Sequence, residues 1–245
     1  MPRKRRFILP DFPCHIMQRA RTGERIFREV EEFHKYLLDV QDLRTKLGVR
    51  VYAWCLLSDQ VNLLLDPMGD PQRISEFMKS LSVRTVRRHN RIAKRNGRLW
   101  DGRYRSSPVQ WGPWSLSSMR YIETLPLSMA GVEHIDHYDW SSHVIRMGFV
   151  AGYPLDDHPD YLALHSDETE RQKLYRRLLA REMGDAEWCR IHNAIHRSQL
   201  TGDERFVDQV EKATGVRLAS RGPGRPKGSV SRTPRRRKAR RRRRR

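Results

Sequence analysis

Residues 1–150 alternate between short apolar runs and longer segments with helical periodicity, and this order restricts the possible folds more than any other feature of the sequence. His15–Ala20 predicts a first strand. Phe27–Leu47 predicts a helix, because apolar residues recur there every three or four positions, and Gly48 follows as a typical C-terminal stop. The region therefore opens with a strand–helix unit.

The same region continues with a hairpin, a helix, a strand and a further helix. These elements are predicted at 49–57, 61–65, 72–96, 104–110 and 115–124, with Pro126 closing the last helix. Pro108 implies an edge position for the 104–110 strand, because proline cannot donate a hydrogen bond to a neighbouring strand. The order β-α-β-β-α-β predicts an α+β fold, with a ferredoxin-like antiparallel sheet, two helices on one face and an added helix after the fourth strand.

The rest of the chain separates by composition into three parts. Residues 151–169 predict a linker, residues 170–218 a helical C-terminal region, and residues 219–245 a disordered basic tail. Residues 221–245 hold 14 of the 49 Lys and Arg side chains and no acid, so they carry +14 of the net charge of +20. A block of like charges with Gly, Pro and Ser cannot bury enough apolar surface to fold.

The tail predicts contact with a polyanion, because each phosphate neutralised by a basic side chain releases counterions. A purely solubilising tail is the alternative. Arg221–Gly228 resembles an AT-hook, whose Gly-Arg-Pro core (here centred on Arg225) lies extended in the minor groove of A·T-rich DNA. The alternative for this segment is a plain Pro/Gly linker.

Composition also argues against membrane and secreted classes. The sequence has no run of about 18 uncharged apolar residues, and its early apolar stretch at 7–10 is too short for the core of a signal peptide. Three scattered cysteines argue against a disulfide scaffold and a cysteine zinc site, and they are typical of a reducing cytosol. We therefore expect a cytoplasmic, nucleoid-associated protein.

The predicted second helix carries basic side chains at helical spacing with almost no acid between them. These are Arg84, Arg87, Arg88, Arg91, Lys94 and Arg95. We interpret Arg84, Arg88 and Arg91 as a surface that faces phosphates. A solvated helix face is the alternative.

Five stretches occur in an order that points to a known family. They are His15-Ile-Met-Gln-Arg19, Tyr52-Ala-Trp-Cys-Leu56, Leu99-Trp-Asp-Gly-Arg-Tyr-Arg-Ser-Ser107, Tyr121-Ile-Glu-Thr-Leu-Pro126 and Trp140-Ser-Ser142. In these stretches the chain resembles the REP-associated tyrosine transposases, a bacterial family of single-tyrosine HUH transposases. The resemblance implies a ferredoxin-like fold, binding of hairpins in single-stranded DNA, and strand cleavage through a 5′-phosphotyrosine with Mg²⁺ or Mn²⁺.

The resemblance implies a nucleophile at Tyr121 and an altered metal site. The family's two metal-binding histidines align with Gln60 and Asn62, and its asparagine four residues after the tyrosine aligns with Leu125. Strand alternation places both amides on one face. Amide oxygens can bind Mg²⁺, although they are weaker ligands than imidazole for transition metals. His15 is a candidate substitute ligand from a neighbouring strand, or else a structural histidine.

Further candidates for the site lie nearby in the sequence. Arg103 and Arg105 are predicted to contact the DNA backbone, because a guanidinium can bind phosphate in a bidentate manner. Tyr104 and Trp100 are candidates for stacking on unpaired bases, and Trp100 fits a core position equally well. His134 and His137 have the spacing of metal ligands, but no third ligand accompanies them.

Two functions remain open at this point. In the first, Tyr121 cleaves and transfers a DNA strand with a reorganised metal site. In the second, Tyr121 is a partly buried helix aromatic, and the chain is a catalytically degenerate DNA-binding module or a regulator of repeat elements. RNA binding is weaker, because Val61–Leu65 lacks the aromatic run of an RNA-recognition motif. The expected assembly is a monomer or a homodimer.

Overall fold

Four strands form one antiparallel sheet in the computed structural model, which describes residues 6–216. The strands are β1 (Cys14–Arg19), β2 (Arg50–Leu56), β3 (Gln60–Asp66) and β4 (Arg105–Pro108). Their order across the sheet is β2-β3-β1-β4, with antiparallel pairing at every step. This confirms the α+β class, the antiparallel sheet and the edge position of the strand that contains Pro108.

Eight α-helices surround the sheet in the described part of the chain. They are α1 (Val30–Leu47), α2 (Pro71–Ile92), α3 (Pro113–Met129), α4 (His143–Arg146), α5 (Pro159–Leu162), α6 (Glu168–Ala180), α7 (Asp185–Arg197) and α8 (Glu204–Thr214). The chain runs through the first six elements in the predicted order β-α-β-β-α-β. Within residues 6–216, no helix combines the length and apolar character needed to cross a bilayer.

The two faces of the sheet pack against different helices. Alternate residues of β1 and β3, such as Ile16 and Leu63, join α1 and α2 in one core. Residues of the opposite face, such as Leu64, join α3 and the C-terminal helices in a second core. The sheet is therefore covered on both faces, and α3 lies on the side opposite to α1 and α2.

The boundaries of three helices differ from the sequence prediction. α1 starts at Val30, three residues later than predicted, after a capping box formed by Glu29 and Glu32. α2 ends at Ile92 instead of continuing to residue 96, because the chain leaves the helical conformation and Lys94 adopts a φ of 47°. α3 extends from Pro113 to Met129 and contains Pro126.

The prediction that Pro126 closes α3 was wrong. Proline lacks one amide hydrogen and therefore removes one hydrogen bond from the last turns, and the residues after it can still donate. The amide of Ala130 donates to the carbonyl of Pro126 over 2.9 Å, so the helix continues past the ring. Gly48 behaves as predicted and ends α1 in the left-handed conformation, with a φ of 62°.

Both edge strands of the sheet are covered by other parts of the chain. Beside β4, the amide of Thr201 donates to the carbonyl of Pro108 over 2.9 Å. Beside β2, the amide of Leu56 donates to the carbonyl of Trp140 over 2.8 Å, and the amide of Ser142 donates to the carbonyl of Trp54 over 2.8 Å. Some of the backbone groups that the edge strands leave open are thus paired within the same chain.

Residues 151–169, predicted as a linker, pack against the sheet region. The Asp156 carboxylate accepts a hydrogen bond from the amide of Val51 over 2.8 Å and pairs with Arg44. The indole of Trp54 donates to the carbonyl of Pro154 over 2.9 Å. The proposed division of the chain into four parts remains a prediction, and the predicted basic tail with Arg225 lies outside the described residues.

Candidate active site and nucleic-acid interface

Gln60 and Asn62 lie on the sheet face that α3 covers. In the register between β1 and β3, Gln60 stands opposite Arg19, and Asn62 stands opposite Met17. Both amides are buried. The alternation of β3 therefore places the two amides on one face, as its sequence pattern predicts.

Asn62 is already engaged by a histidine of the neighbouring strand. The Nε2 atom of His15 lies 3.1 Å from Oδ1 of Asn62, and burial lowers the pKa of His15 to about 4. We therefore assign His15 as a neutral imidazole that donates from Nε2. Nδ1 of His15 and Nδ2 of Asn62 are buried and have no hydrogen-bond partner. Such unsatisfied buried groups are costly, and a catalytic role is one of the explanations for them.

Tyr121 reaches the same place from α3. Its side chain is 4% exposed, and its ring lies 5.8 Å from the ring of His15, centroid to centroid, in an edge-on arrangement. Asn62 is thus hydrogen-bonded to His15, and His15 in turn packs against the ring of Tyr121. The structure therefore brings Asn62 and Tyr121 to one site through His15, while Gln60 lies on the same sheet face two residues earlier on β3.

The hydroxyl of Tyr121 is bound by a residue that the sequence reasoning missed. It lies 3.0 Å from Nδ1 of His192, which is on α7. Burial raises the pKa of Tyr121 to about 12, whereas burial, followed by the charge of Arg19, lowers the pKa of His192. At neutral pH we therefore assign the phenol as the donor and the imidazole nitrogen as the acceptor.

His192 is the middle member of a stack of three rings on one side of α7, which we call the α7 ladder: Trp188, His192 and His196. The rings of Trp188 and His192 lie 4.3 Å apart with an interplanar angle of 14°. The rings of His192 and His196 lie 4.2 Å apart at 31°. The i, i+4, i+8 spacing of these aromatic residues was the sequence signal that could have identified the ladder.

α7 is fixed over the sheet by a contact at its C-terminal end. The guanidinium of Arg105, on β4, donates to the carbonyl of His196. Carbonyl groups in the last turn of a helix have no partner within the helix, so a cation there is favourable. Arg105, predicted as a contact to the DNA backbone, is therefore also a residue that holds α7 in place.

The residues around Asn62 do not fit the divalent cation that the family resemblance predicts. The only oxygen of the Asn62 side chain already faces Nε2 of His15, and the position of the family's asparagine is filled by the buried, apolar Leu125. Within residues 6–216, no group of three His, Cys, Asp or Glu side chains could hold a metal ion. His134 and His137 contact each other, at 5.7 Å between ring centroids, without a third ligand of this kind.

Four arginines line an open groove at the end of β1, which we call the arginine groove: Arg19, Arg21, Arg103 and Arg105. The groove has a volume of about 390 Å³, and Glu24, Asp59 and Asp101 also line it. Arg105 links this groove to the tyrosine site, because it lines the groove and also donates to the carbonyl of His196, one turn after His192 on α7. The arginine groove and the tyrosine site are therefore neighbours.

Part of the predicted basic face of α2 forms ion pairs within the fold. Arg84 and Arg88 both pair with Asp39 of α1, and Arg84 also pairs with Asp42 over 2.7 Å. The acids that balance α2 come from the helix beside it, which is why the sequence of α2 alone suggested an unbalanced stripe. Arg91 is exposed. Phosphate contacts by Arg84, Arg88 and Arg91 remain predictions.

Tyr104 and Trp100, predicted to stack on bases, belong to the core shared by α1 and α2. Both rings are buried, and the guanidinium carbon of Arg6 lies 3.7 Å from the centroid of the Tyr104 ring. Tyr104 therefore has no open ring face, and stacking of a base on it would require Arg6 to move. For Trp100, the core position is the one observed.

Solved structures that are similar to this chain include two of the transposase type. No family model and no curated protein matches the chain. One structure is of a REP-associated tyrosine transposase bound to a REP hairpin, with a TM-score of 0.48, 13% identity, and coverage of 65% of this chain and 96% of that chain. The other is of a candidate transposase from Deinococcus radiodurans R1, with a TM-score of 0.34, 22% identity, and coverage of 45% and 88%. Neither similarity by itself assigns a function to this chain.

Proposed function

We propose that this chain is a DNA-binding protein of the transposase type, which takes single-stranded or hairpin DNA along the arginine groove toward Tyr121. The observation that carries the proposal is the position of Arg105, which lines the groove and donates to the His196 carbonyl on α7, the helix that also carries His192, the partner of the Tyr121 hydroxyl. A groove with several guanidinium groups suits a phosphate backbone. The family resemblance of the sequence supports the same substrate class.

The proposal predicts a specific loss of binding when two groove charges are removed. Arg19→Ala combined with Arg21→Ala removes two exposed cations of the groove. For a single strand, each neutralised phosphate contributes about 0.7 to the slope of log affinity against log salt, so we expect the slope to become shallower by about 1.4. Fluorescence anisotropy with a labelled hairpin that carries unpaired flanks, measured over a salt series, gives this slope.

A matched control removes the same number of charges elsewhere. Lys46 and Lys79 are exposed residues of α1 and α2, outside the groove, so Lys46→Ala with Lys79→Ala should leave the slope unchanged. Equal slopes for the groove variant and the wild type would contradict the proposed path of the DNA. Absence of any binding to the hairpin by the wild type would contradict the proposed function itself.

Strand cleavage by Tyr121 is a second candidate function, favoured by the hydrogen bond between its hydroxyl and a neutral imidazole. In this reaction the phenolic proton passes to Nδ1 of His192, and the phenolate oxygen forms a bond to phosphorus. The bond from phosphorus to the 3′ oxygen breaks, and that oxygen takes a proton from water. Because the residues near Asn62 do not fit a divalent cation, the chain's arginines would have to stabilise the charge on the phosphate.

Tyr121→Phe tests this second function. If the wild type cleaves, it should form a covalent adduct with the hairpin that survives a denaturing gel, and the adduct should persist in EDTA. Tyr121→Phe should abolish the adduct completely, because the attacking oxygen is gone, while hairpin affinity remains close to that of the wild type. An adduct that EDTA eliminates would contradict metal-independent cleavage, and no adduct together with retained binding would identify a protein that only binds DNA.

A further inference from the structure

The outer end of the α7 ladder carries an exposed tryptophan beside the tyrosine site. All six tryptophans of the sequence lie within the described residues. Trp188 is the most exposed of them, with 41% of its surface accessible, whereas Trp54 is fully buried. A large aromatic side chain is usually more buried than this. Its ring centroid lies 6.1 Å from that of Tyr121, so the exposed indole borders the site.

One face of the Trp188 indole is stacked and the other is open along the helix. His192 covers the inner face at 4.3 Å. On a helix, the next place in the same row is four residues earlier, which is Gly184 at the N-terminal end of α7. Gly184 has no side chain, and a Cβ built there would meet no other atom within 4 Å. The row of rings therefore ends at Trp188, and no side chain of α7 occupies the next place in the row.

The two ends of the α7 ladder, about 12 Å apart along the helix, suit a strand of several nucleotides, with basic side chains near His196 and an exposed ring at Trp188. Arg19 and Arg105 both act electrostatically on His196 at the inner end of the ladder. Arg105 also donates a hydrogen bond to the backbone carbonyl of His196. An unpaired nucleotide combines a flat base with a phosphate, and sequence-tolerant binding of single strands uses bases stacked on aromatic rings beside basic side chains.

We propose that the α7 ladder is a stacking platform for one unpaired nucleobase, which lies on the open face of Trp188. This inference rests on the proposed DNA-binding function and adds to it a specific contact with single-stranded nucleotides. A base inside a duplex is already stacked on both faces. The platform therefore distinguishes unpaired nucleotides from paired ones, and it lies next to Tyr121.

The test compares binding of an oligothymidylate with binding of a fully paired duplex of equal length. Trp188→Leu should weaken binding of the oligothymidylate about tenfold, since stacking on one aromatic residue contributes about 1–3 kcal/mol. Affinity for the duplex should stay the same. Trp188→Phe keeps a planar ring and should retain most of the affinity. Phe149→Leu removes another exposed aromatic residue, which lies elsewhere, and it should change neither affinity.

A second readout locates the contact directly. An oligothymidylate with one 5-iododeoxyuridine should photo-crosslink to the wild type, and the crosslinked peptide should contain Trp188. Unchanged binding by Trp188→Leu, an equal loss for the duplex, or a crosslink that maps elsewhere would overturn the platform while leaving the proposed function intact. If the wild type binds neither DNA, the proposed function fails instead, and the platform fails with it.

Discussion

Glu123→Gln is expected to lower the free energy of unfolding by about 3–5 kcal/mol, because it leaves a buried guanidinium without its counter-charge. Oε1 of Glu123 accepts hydrogen bonds from Oγ of Ser142 over 2.6 Å and from Nε of Arg146 over 3.2 Å. Oε2 accepts from the hydroxyl of Tyr175 over 2.8 Å. Glu123 and Arg146 are both buried. Denaturant unfolding followed by circular dichroism measures the loss.

The buried network explains why the effect should be large. It joins α3, α4 and α6, and Arg146 also donates to the carbonyl of Tyr52 on β2 over 2.6 Å. As a control, Glu170→Gln removes an exposed carboxylate that pairs with Lys173 over 2.8 Å on the same helix, and it should leave stability unchanged. A loss below about 1 kcal/mol for Glu123→Gln would show that the pair is not a major source of stability.

Acidification should destabilise the fold strongly before most carboxylates are protonated. Burial lowers the pKa of both His15 and His158 from 6.5 to about 4. Between pH 6.5 and pH 4 these histidines are therefore protonated in the unfolded chain but neutral in the folded chain. Their contribution to stability is complete above pH 6.5 and is lost as the pH falls toward 4. Each histidine can account for up to about 3 kcal/mol of this loss. Denaturant unfolding at a series of pH values in this range measures it.

Substitutions separate the histidines from other groups that titrate. His15→Gln should flatten the dependence of stability on pH between 6.5 and 4.5, whatever its effect on stability at pH 7. His134→Gln changes an exposed histidine and serves as the matched control. A free energy of unfolding that stays constant from pH 7 to pH 5 would contradict the prediction.

The order of strands and helices along the chain, β-α-β-β-α-β, could be predicted because the signals are local. Apolar residues repeat every two or every three to four positions within each element, and glycines such as Gly48 mark an end. Helix ends were predicted less well. Whether a helix continues past Pro126 depends on the residues that pack around its final turn, and a sequence window does not contain them.

The site could be predicted only where the relevant residues are close in sequence or share a strand. Gln60 and Asn62 lie on one face through simple alternation, and the resemblance selected Tyr121. His192 was missed because it lies 71 residues from Tyr121 and reaches it through the packing of α7 on α3. The ion pairs of Arg84 and Arg88 were missed for the same reason, since their acid is on another helix.

The coverage of β2 and β4 has a consequence for self-association. A sheet usually recruits a second chain, or templates a fibril, by offering the unpaired backbone of an outer strand. Here residues around Trp140 and Thr201 already occupy both margins. Strand addition at these positions would first require these segments to detach, which disfavours assembly by extension of the sheet.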